Sequence, residues 1–203
     1  MIFPYEQLIN HNIPKLFDRS NDNVVKEMPH LCWGEDYYNW SRETLGIKSP
    51  LSRITGAIQL DLYRPQFRSL YLSRREIAKR FGLPIDKKWI LFISDFVFTN
   101  ESRLRHTVDA GAINEEYAYK LKDFEIKSVG ALAEWFTKFL NNHEEYVIIY
   151  RKHPTEIITS QIEAVSNHLE NLYLLSDLSI NEWIANCDII TTWSSTAVVE
   201  CYA

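Results

Sequence analysis

From residue 89 onward, short apolar runs alternate with longer amphipathic stretches, and this alternation limits the folds open to the chain. Residues 89–93 and 146–150 are apolar throughout, which is typical of strands in a parallel sheet buried on both faces. The stretch between them carries apolar residues at helical spacing: Leu132, Trp135, Phe136, Phe139 and Leu140. The pattern therefore predicts an α/β fold around a parallel sheet.

The same alternation continues to the end of the sequence. We expect a polar helix over about 156–170, strands at 172–175 and 187–192, and a short helix that ends at Ile184. A capping-box pattern, Ser179-Ile-Asn-Glu182, predicts the start of that short helix. A further helix is expected to begin at Ser194.

The first 60 residues follow a different pattern. They predict two short strands and one helix: 30–33, 53–55 and 35–45. Because two strands cannot form a doubly wound lobe, we interpret residues 1–60 as the tail of an N-terminal, acceptor-side lobe. Residues 61–88 predict a connecting helix, and residues 89–203 a nucleotide-donor-binding Rossmann-like lobe, incomplete at its C-terminus. We therefore expect the sequence to be part of a longer protein and to be inactive alone.

The composition narrows the classes of partner. The 203 residues contain 46% hydrophobic residues, enough for a buried core, and carry a formal net charge of −5. Non-specific nucleic-acid binding needs a basic surface, so we expect no nucleic-acid partner. Pro4 and Glu6 lie where a signal peptide would be apolar, and no run reaches the roughly 18 apolar residues of a membrane span. These features predict a cytoplasmic protein.

Polar residues follow two of the predicted strands. Arg151 and His153 come directly after strand 146–150, and Ser194, Ser195 and Thr196 come after strand 187–192. In a parallel sheet, ligands bind beyond the carboxyl ends of the strands. Hydroxyls at a helix start, together with two cationic side chains, favour a phosphate group. The alternatives are an ordinary turn for the segment that carries Arg151 and His153, and an ordinary N-cap for the segment Ser194–Thr196.

Three other residues are candidates for the same site. Glu200 lies six residues after Ser194 and could accept hydrogen bonds from the two hydroxyls of a ribose, or simply be a solvated helix residue. Ser94 and Asn100 lie in the long connection 94–128, for which we expect a helix of its own. Connections of that length at a ligand edge are often functional, so both are candidate donor-loop residues. The sequence has no Asp-x-Asp metal pair, and we expect neither a metal nor a cofactor.

These motifs resemble the C-terminal lobe of GT-B-type glycosyltransferases of bacterial surface polysaccharide synthesis. The resemblance rests on Arg151-x-His-Pro154, Ser176-Asp177, Cys187-Asp188 and the Ser-Ser-Thr-Ala…Glu200 segment, with "CWGEDYYNW", "RITGAIQLDLYRP" and "ILFISDFVFTN" upstream. It spans roughly residues 29–203. The most similar group is the surface carbohydrate biosynthesis proteins, with capsule Kdo transferases, polysialyltransferases and CDP-glycerol glycerophosphotransferases related to it.

The resemblance implies a function and residue roles. It implies transfer of a sugar or related group from a nucleotide-activated, cytidine-linked donor to a surface polysaccharide such as capsule. His153, Ser194 and Ser195 would hold the nucleotide phosphate, and Glu200 the ribose. Peripheral contact with the inner membrane would come through parts outside this sequence. Ser94-Asp-Phe96 replaces the family's Gly-rich loop, and no catalytic residue is assigned. A UDP-sugar 2-epimerase-like enzyme and a non-catalytic nucleotide-sugar-binding lobe are the alternatives.

Overall fold

The computed structural model describes residues 26–44 and 46–202, and the chain divides into two compact units, Met1–Arg64 and Pro65–Ala203. In the first unit, strand β1 (His30–Cys32) pairs in parallel with β2 (Ser52–Ile54). Helix α1 (Glu35–Glu43) lies between them in sequence. The predicted strands and helix of this region are thus present, each slightly shorter than or shifted from its expected bounds.

The second unit is built on a four-stranded parallel sheet. Its strands are β3 (Lys88–Ile93), β4 (Tyr146–Arg151), β5 (Leu172–Leu174) and β6 (Ile189–Thr192). They are ordered β5-β4-β3-β6. The chain thus runs outward from β3 to β5 and then returns to place β6 on the other side of β3. The predicted α/β, Rossmann-type fold class is confirmed.

Alternate residues of β3 and β4 face two separate cores because side chains in a strand alternate between faces. Ile90, Phe92, Ile148 and Tyr150 contribute to one core, together with the long helix α4 (Glu115–Asn142). The other core packs helix α2 (Arg74–Phe81) and helix α6 (Ile180–Ile184) against the sheet. Its strand residues are Trp89, Leu91, Ile93, Val147 and Ile149. Burial on both faces explains why these strands are apolar throughout.

Residues 61–88 do not form the single connecting helix that we expected. They contain the end of a 3-10 helix (Ile58–Tyr63), a second 3-10 helix (Pro65–Leu70) and α2. Arg64 is extended, with φ −62° and ψ 146°, because a residue before proline is disfavoured in the α region. Helix α2 begins with a capping box, Ser73–Glu76, and ends at Gly82, whose φ of 68° suits glycine.

The remaining helices surround the sheet. They are α3 (Glu101–Asp109), α4 (Glu115–Asn142), α5 (Ser160–His168) and α6. Helix α3 is the predicted extra helix in the connection after β3, and the capping box of Ser179 and Glu182 is present at α6. The helix expected from Ser194 is instead a 3-10 helix, Thr196–Tyr202. Among the described helices, none is long and apolar enough to cross a membrane.

A polar contact ties β6 to the start of β3. Asp188 accepts a hydrogen bond from the Trp89 N–H at 2.7 Å and forms an ion pair with Arg74 at 2.9 Å. The guanidinium of Arg74 also lies over the Trp89 ring, 4.2 Å from its centroid. These contacts anchor the segment that carries the last strand into the sheet.

Candidate functional site

The carboxyl ends of β3 and β6 form the point at which the strand order reverses. In open α/β sheets, ligands bind in the crevice outside such a switch point. The loop after β3 contributes Phe96, and the residue after β6 is Trp193. Their rings stack with centroids 5.0 Å apart. The chain segments that carry Ser94 and Ser194–Thr196 therefore flank this crevice.

The sheet register places the two segments predicted to bind phosphate, one after β4 and one after β6, level with each other along the strand direction. Ile93 of β3 pairs with Arg151 of β4 on one side and with Thr192 of β6 on the other. Since neighbouring strands lie 4.7–4.9 Å apart, the backbones at Arg151 and Thr192 are about 10 Å apart. A diphosphate placed over Ile93 could contact residues that follow both strands.

Arg151 is a partly buried cation that has no acidic partner among the described residues. Its Nη2 donates to the carbonyl oxygen of Leu178 at 3.1 Å, in the loop before α6. Its buried Nε has no hydrogen-bond partner among the described residues. None of the ion pairs formed within residues 26–44 and 46–202 includes it. Burial lowers the pKa of Arg151, yet guanidinium groups stay charged in proteins, so an anion here would be stabilised.

His153 lies in the turn after β4, and its ring has a defined orientation. Its Nδ1 accepts the backbone N–H of Thr155 at 3.2 Å and lies 2.9 Å from the Thr155 hydroxyl. A nitrogen that accepts an N–H carries no proton of its own, so in the neutral ring the proton is on Nε2. The turn thus sets the tautomer of His153.

The serine segment after β6 is organised by its own side chains. Ser194 has a left-handed backbone, with φ 55°, which is uncommon for a residue other than glycine. Thr192 Oγ1 accepts the Ser195 N–H at 3.2 Å, and Ser195 Oγ accepts the Ala197 N–H at 3.3 Å. Ser194 and Thr196 are exposed, whereas Ser195 is partly buried. These local bonds favour a tight 3-10 helix over the expected α-helix.

Glu200 lies within that 3-10 helix and is partly buried. Its Oε2 accepts a hydrogen bond from Asn181 Nδ2 at 3.3 Å. Asn181 belongs to α6, the helix that follows the Leu178 loop to which Arg151 donates. The carboxylate is therefore held on the α6 side of the sheet, and its contact with a ribose remains a prediction.

The two candidate donor-loop residues have structural partners. Ser94 is 1% exposed, and its Oγ donates to Glu156 and lies 2.7 Å from the Tyr150 hydroxyl. Asn100 caps α3 by accepting the N–H groups of Ser102 and Arg103, and its Nδ2 donates to the Thr155 carbonyl at 2.8 Å. Asn100 therefore attaches the loop after β3 to the turn that contains His153.

Sequence reasoning missed two buried carboxylates beside this site, Glu125 of α4 and Glu156 of the His153 turn. They are 7% and 3% exposed. Glu125 accepts the N–H groups of Phe98 and Thr99, at 2.8 and 3.2 Å. A glutamate on the core-facing stripe of α4, at helical spacing from Val129 and Phe136, is the signal that could have revealed it.

The Glu125 carboxyl should make stability depend on pH. Burial, with smaller contributions from Asp95 and Glu156, raises its pKa from 4.5 to about 7, although the two N–H donors oppose this shift. The folded state therefore binds the proton more tightly than the unfolded chain. The resulting stabilisation is complete below about pH 4.5 and is lost as the pH rises through 7.

We expect the Glu125→Gln variant to lack this dependence because an amide does not titrate. Between pH 4.5 and 8, the free energy of unfolding of the unmodified protein should fall by about 3 kcal/mol more than that of the variant. Denaturant unfolding curves of both proteins at the two pH values measure the difference. Parallel pH profiles would contradict the assignment.

Within 26–44 and 46–202, no group of three or more histidine, cysteine, aspartate or glutamate side chains could hold a metal ion.

Comparison with known proteins finds a structural likeness but no sequence match. No family model and no curated protein matches the chain. Among solved structures, it is similar to the wall teichoic acid polymerase TagF, in a variant soaked with CDPG. The identity is 14% and the TM-score 0.48, over 98% of this chain and 41% of that one. The chain thus spans about two fifths of the length of TagF.

Proposed function

We propose that the second unit binds the phosphate groups of a nucleotide-activated donor, and that the protein is a glycosyltransferase of surface polysaccharide synthesis in the cytoplasm. The sequence motifs that resemble the GT-B enzymes support this proposal. The same resemblance implies a cytidine-linked donor.

The observation that carries the proposal is the state of Arg151. Its partly buried guanidinium lacks an ion-pair partner among the described residues, its Nε is unpartnered, and the residue ends β4 at the carboxyl edge of the sheet. A charge in such a place is costly unless an opposite charge joins it. A diphosphate supplies that charge and would also meet the donors of Ser194 and Ser195 across Ile93.

The proposed chemistry is stabilisation of the leaving group. As the bond between the transferred group and the diphosphate breaks, negative charge grows on the phosphate oxygens. Preorganised donors near those oxygens lower the barrier because they need no rearrangement when the charge develops. His153, donating from Nε2, and the hydroxyls after β6 are the groups we assign to this task.

A thermal-shift screen with CMP, CDP, UMP and UDP tests the proposal. We expect CDP or CMP to raise the melting temperature, because ligands that bind the native state stabilise it. A preference for uridine nucleotides would favour the epimerase-like alternative. Binding without sugar transfer by the complete protein would favour a non-catalytic lobe, and no shift with any nucleotide would contradict the proposal.

Ser195→Ala should weaken nucleotide binding about tenfold or more. A hydrogen bond to a charged group contributes roughly 1.5–3 kcal/mol, and the variant removes one such donor. Isothermal titration with CDP measures the change. Ser166→Ala is the matched control, since Ser166 is also a partly buried serine whose hydroxyl makes a local hydrogen bond, to the Glu163 carbonyl. Equal affinities in the two variants would remove Ser195 from the site.

A further inference from the structure

A single buried carboxylate joins the ends of β3 and β4 to the His153 turn. Oε1 of Glu156 accepts from the Tyr150 hydroxyl at 2.6 Å. Its Oε2 accepts from Ser94 Oγ at 2.6 Å and from the N–H groups of Phe96 and His153 at 3.3 and 3.2 Å. Each of these segments belongs to the ligand edge of the sheet.

The turn itself is fixed by further bonds to the same residue. The Glu156 N–H donates to the His153 carbonyl at 2.9 Å, and Lys152 Nζ donates to the Glu156 carbonyl at 3.1 Å. Asn100 holds the Thr155 carbonyl from the loop after β3. The backbone of His153 is therefore bound on both its N–H and its carbonyl side by Glu156.

Such a network is an inefficient way to gain stability. Burying a carboxylate costs free energy that its hydrogen bonds only partly return, but such a network can define a unique geometry. Ligand-binding groups need that definition, since they work when held within about 0.5 Å of the productive position. The location of Glu156 beside a proposed phosphate-binding histidine fits this role.

We propose that Glu156 is a positioning residue, which orients the imidazole of His153 towards an anion at the edge of the sheet. Glu156 does not touch the ligand and acts through the turn. The identity of the anion rests on the proposed function. The orientation of the ring does not, because it can be measured without any ligand.

Glu156→Leu is the decisive variant, since it keeps the volume and removes every acceptor of the carboxylate. Nitrogen-15 NMR of the histidine rings distinguishes the Nδ1–H from the Nε2–H tautomer, and His153→Ala identifies the signals. We expect the neutral His153 ring to be mainly Nε2–H in the unmodified protein and a mixture in Glu156→Leu. Glu156→Gln retains one oxygen acceptor for the two N–H groups and should restore the single tautomer.

Nucleotide affinity is the second readout. By titration with CDP, Glu156→Leu should bind about tenfold more weakly than the unmodified protein, and Glu156→Gln less than about threefold more weakly. If the unmodified protein does not bind CDP, the proposed function fails while the tautomer result still decides the positioning role. If it binds CDP and the tautomer is unchanged in Glu156→Leu, the positioning role alone fails.

Glu125→Leu is the matched control, because Glu125 is also buried and accepts two backbone N–H groups but does not contact His153. We expect it to leave the His153 tautomer unchanged, and a mixture there would overturn the specific role of Glu156. Should Glu156→Leu not fold, Ser94→Ala combined with Tyr150→Phe removes both hydroxyl partners of the carboxylate. A partial shift of tautomer is then expected, and an unchanged ring would overturn the proposal.

Discussion

Replacing Arg151 with glutamine should weaken the binding of CDP by about a hundredfold. The variant removes a charge that is partly buried and has no ion-pair partner among the described residues, so the diphosphate would lose both attraction and a charge-assisted hydrogen bond. A loss of roughly 2.7 kcal/mol corresponds to that factor and lies within the range for hydrogen bonds to charged groups. Isothermal titration at a fixed salt concentration provides the measurement.

Arg75→Gln is the control for the Arg151 variant. It makes the same change of net charge in the same unit, but Arg75 lies exposed on α2. General electrostatic attraction would weaken binding similarly in both variants and would fall steeply with salt. A specific contact requires a large loss for Arg151→Gln and an affinity within about twofold of the original for Arg75→Gln. Similar losses in the two variants would exclude Arg151 from the site.

His153→Ala should slow sugar transfer by the complete protein by about a hundredfold, the loss typical of removing one donor that stabilises developing charge. The effect should appear in kcat, because the donor acts most strongly when negative charge has formed on the leaving phosphate. Steady-state kinetics with a cytidine-linked donor measures it. The melting temperature should change little, since the His153 side chain is partly exposed.

Lys152→Ala is the comparison for this experiment because Lys152 is the adjacent cation in the same turn. Its ammonium group donates to the Glu156 carbonyl and has a local structural role. We expect transfer by this variant to remain within about threefold of the original, since Lys152 bonds only to a backbone carbonyl and the Glu156 carboxylate still holds the His153 N–H. Equal kinetics for the two variants would contradict the phosphate-binding role of the turn.

The sheet could be predicted from sequence because its strands are apolar throughout. Runs such as Trp89–Ile93 and Tyr146–Tyr150 have no polar position to confuse a strand with an amphipathic helix, and both form strands within one residue of the predicted bounds. A helix start could also be predicted from its capping residues, because the expected capping box of Ser179 and Glu182 is present. The helices predicted near Pro65 and from Ser194 were wrong. Pro65 disfavours a helical conformation at Arg64, and side-chain-to-backbone hydrogen bonds favour a tighter turn after Ser194.

The sequence was sufficient to predict which loops carry the candidate site, but not which residues contact each other there. The rule that ligands lie at the carboxyl ends of parallel strands selected the segments after β4 and β6, and the register places them at the same height. The partners of Ser94 and Asn100, in contrast, are Glu156 and Thr155, more than 50 residues away along the chain. No local pattern marks such pairs, so their structural role emerges only from the fold. Their roles in binding a donor, like those of the other candidate residues, stay predictions.

The order of the strands also bears on how the protein assembles. The contact between Trp89 and Asp188 closes a loop of 99 residues, at an entropic cost of roughly 4 kcal/mol by the logarithmic dependence on loop length. Strands β3 and β4 lie closer in sequence, since Ile90 pairs with Ile148 and with Ile189 of β6, so β3 and β4 can pair during synthesis before β6 has left the ribosome. One half of the proposed anion site is then in place before the other. Docking of β6 completes the crevice, and we infer that competence to bind a nucleotide arises only after β6 has been made and has docked.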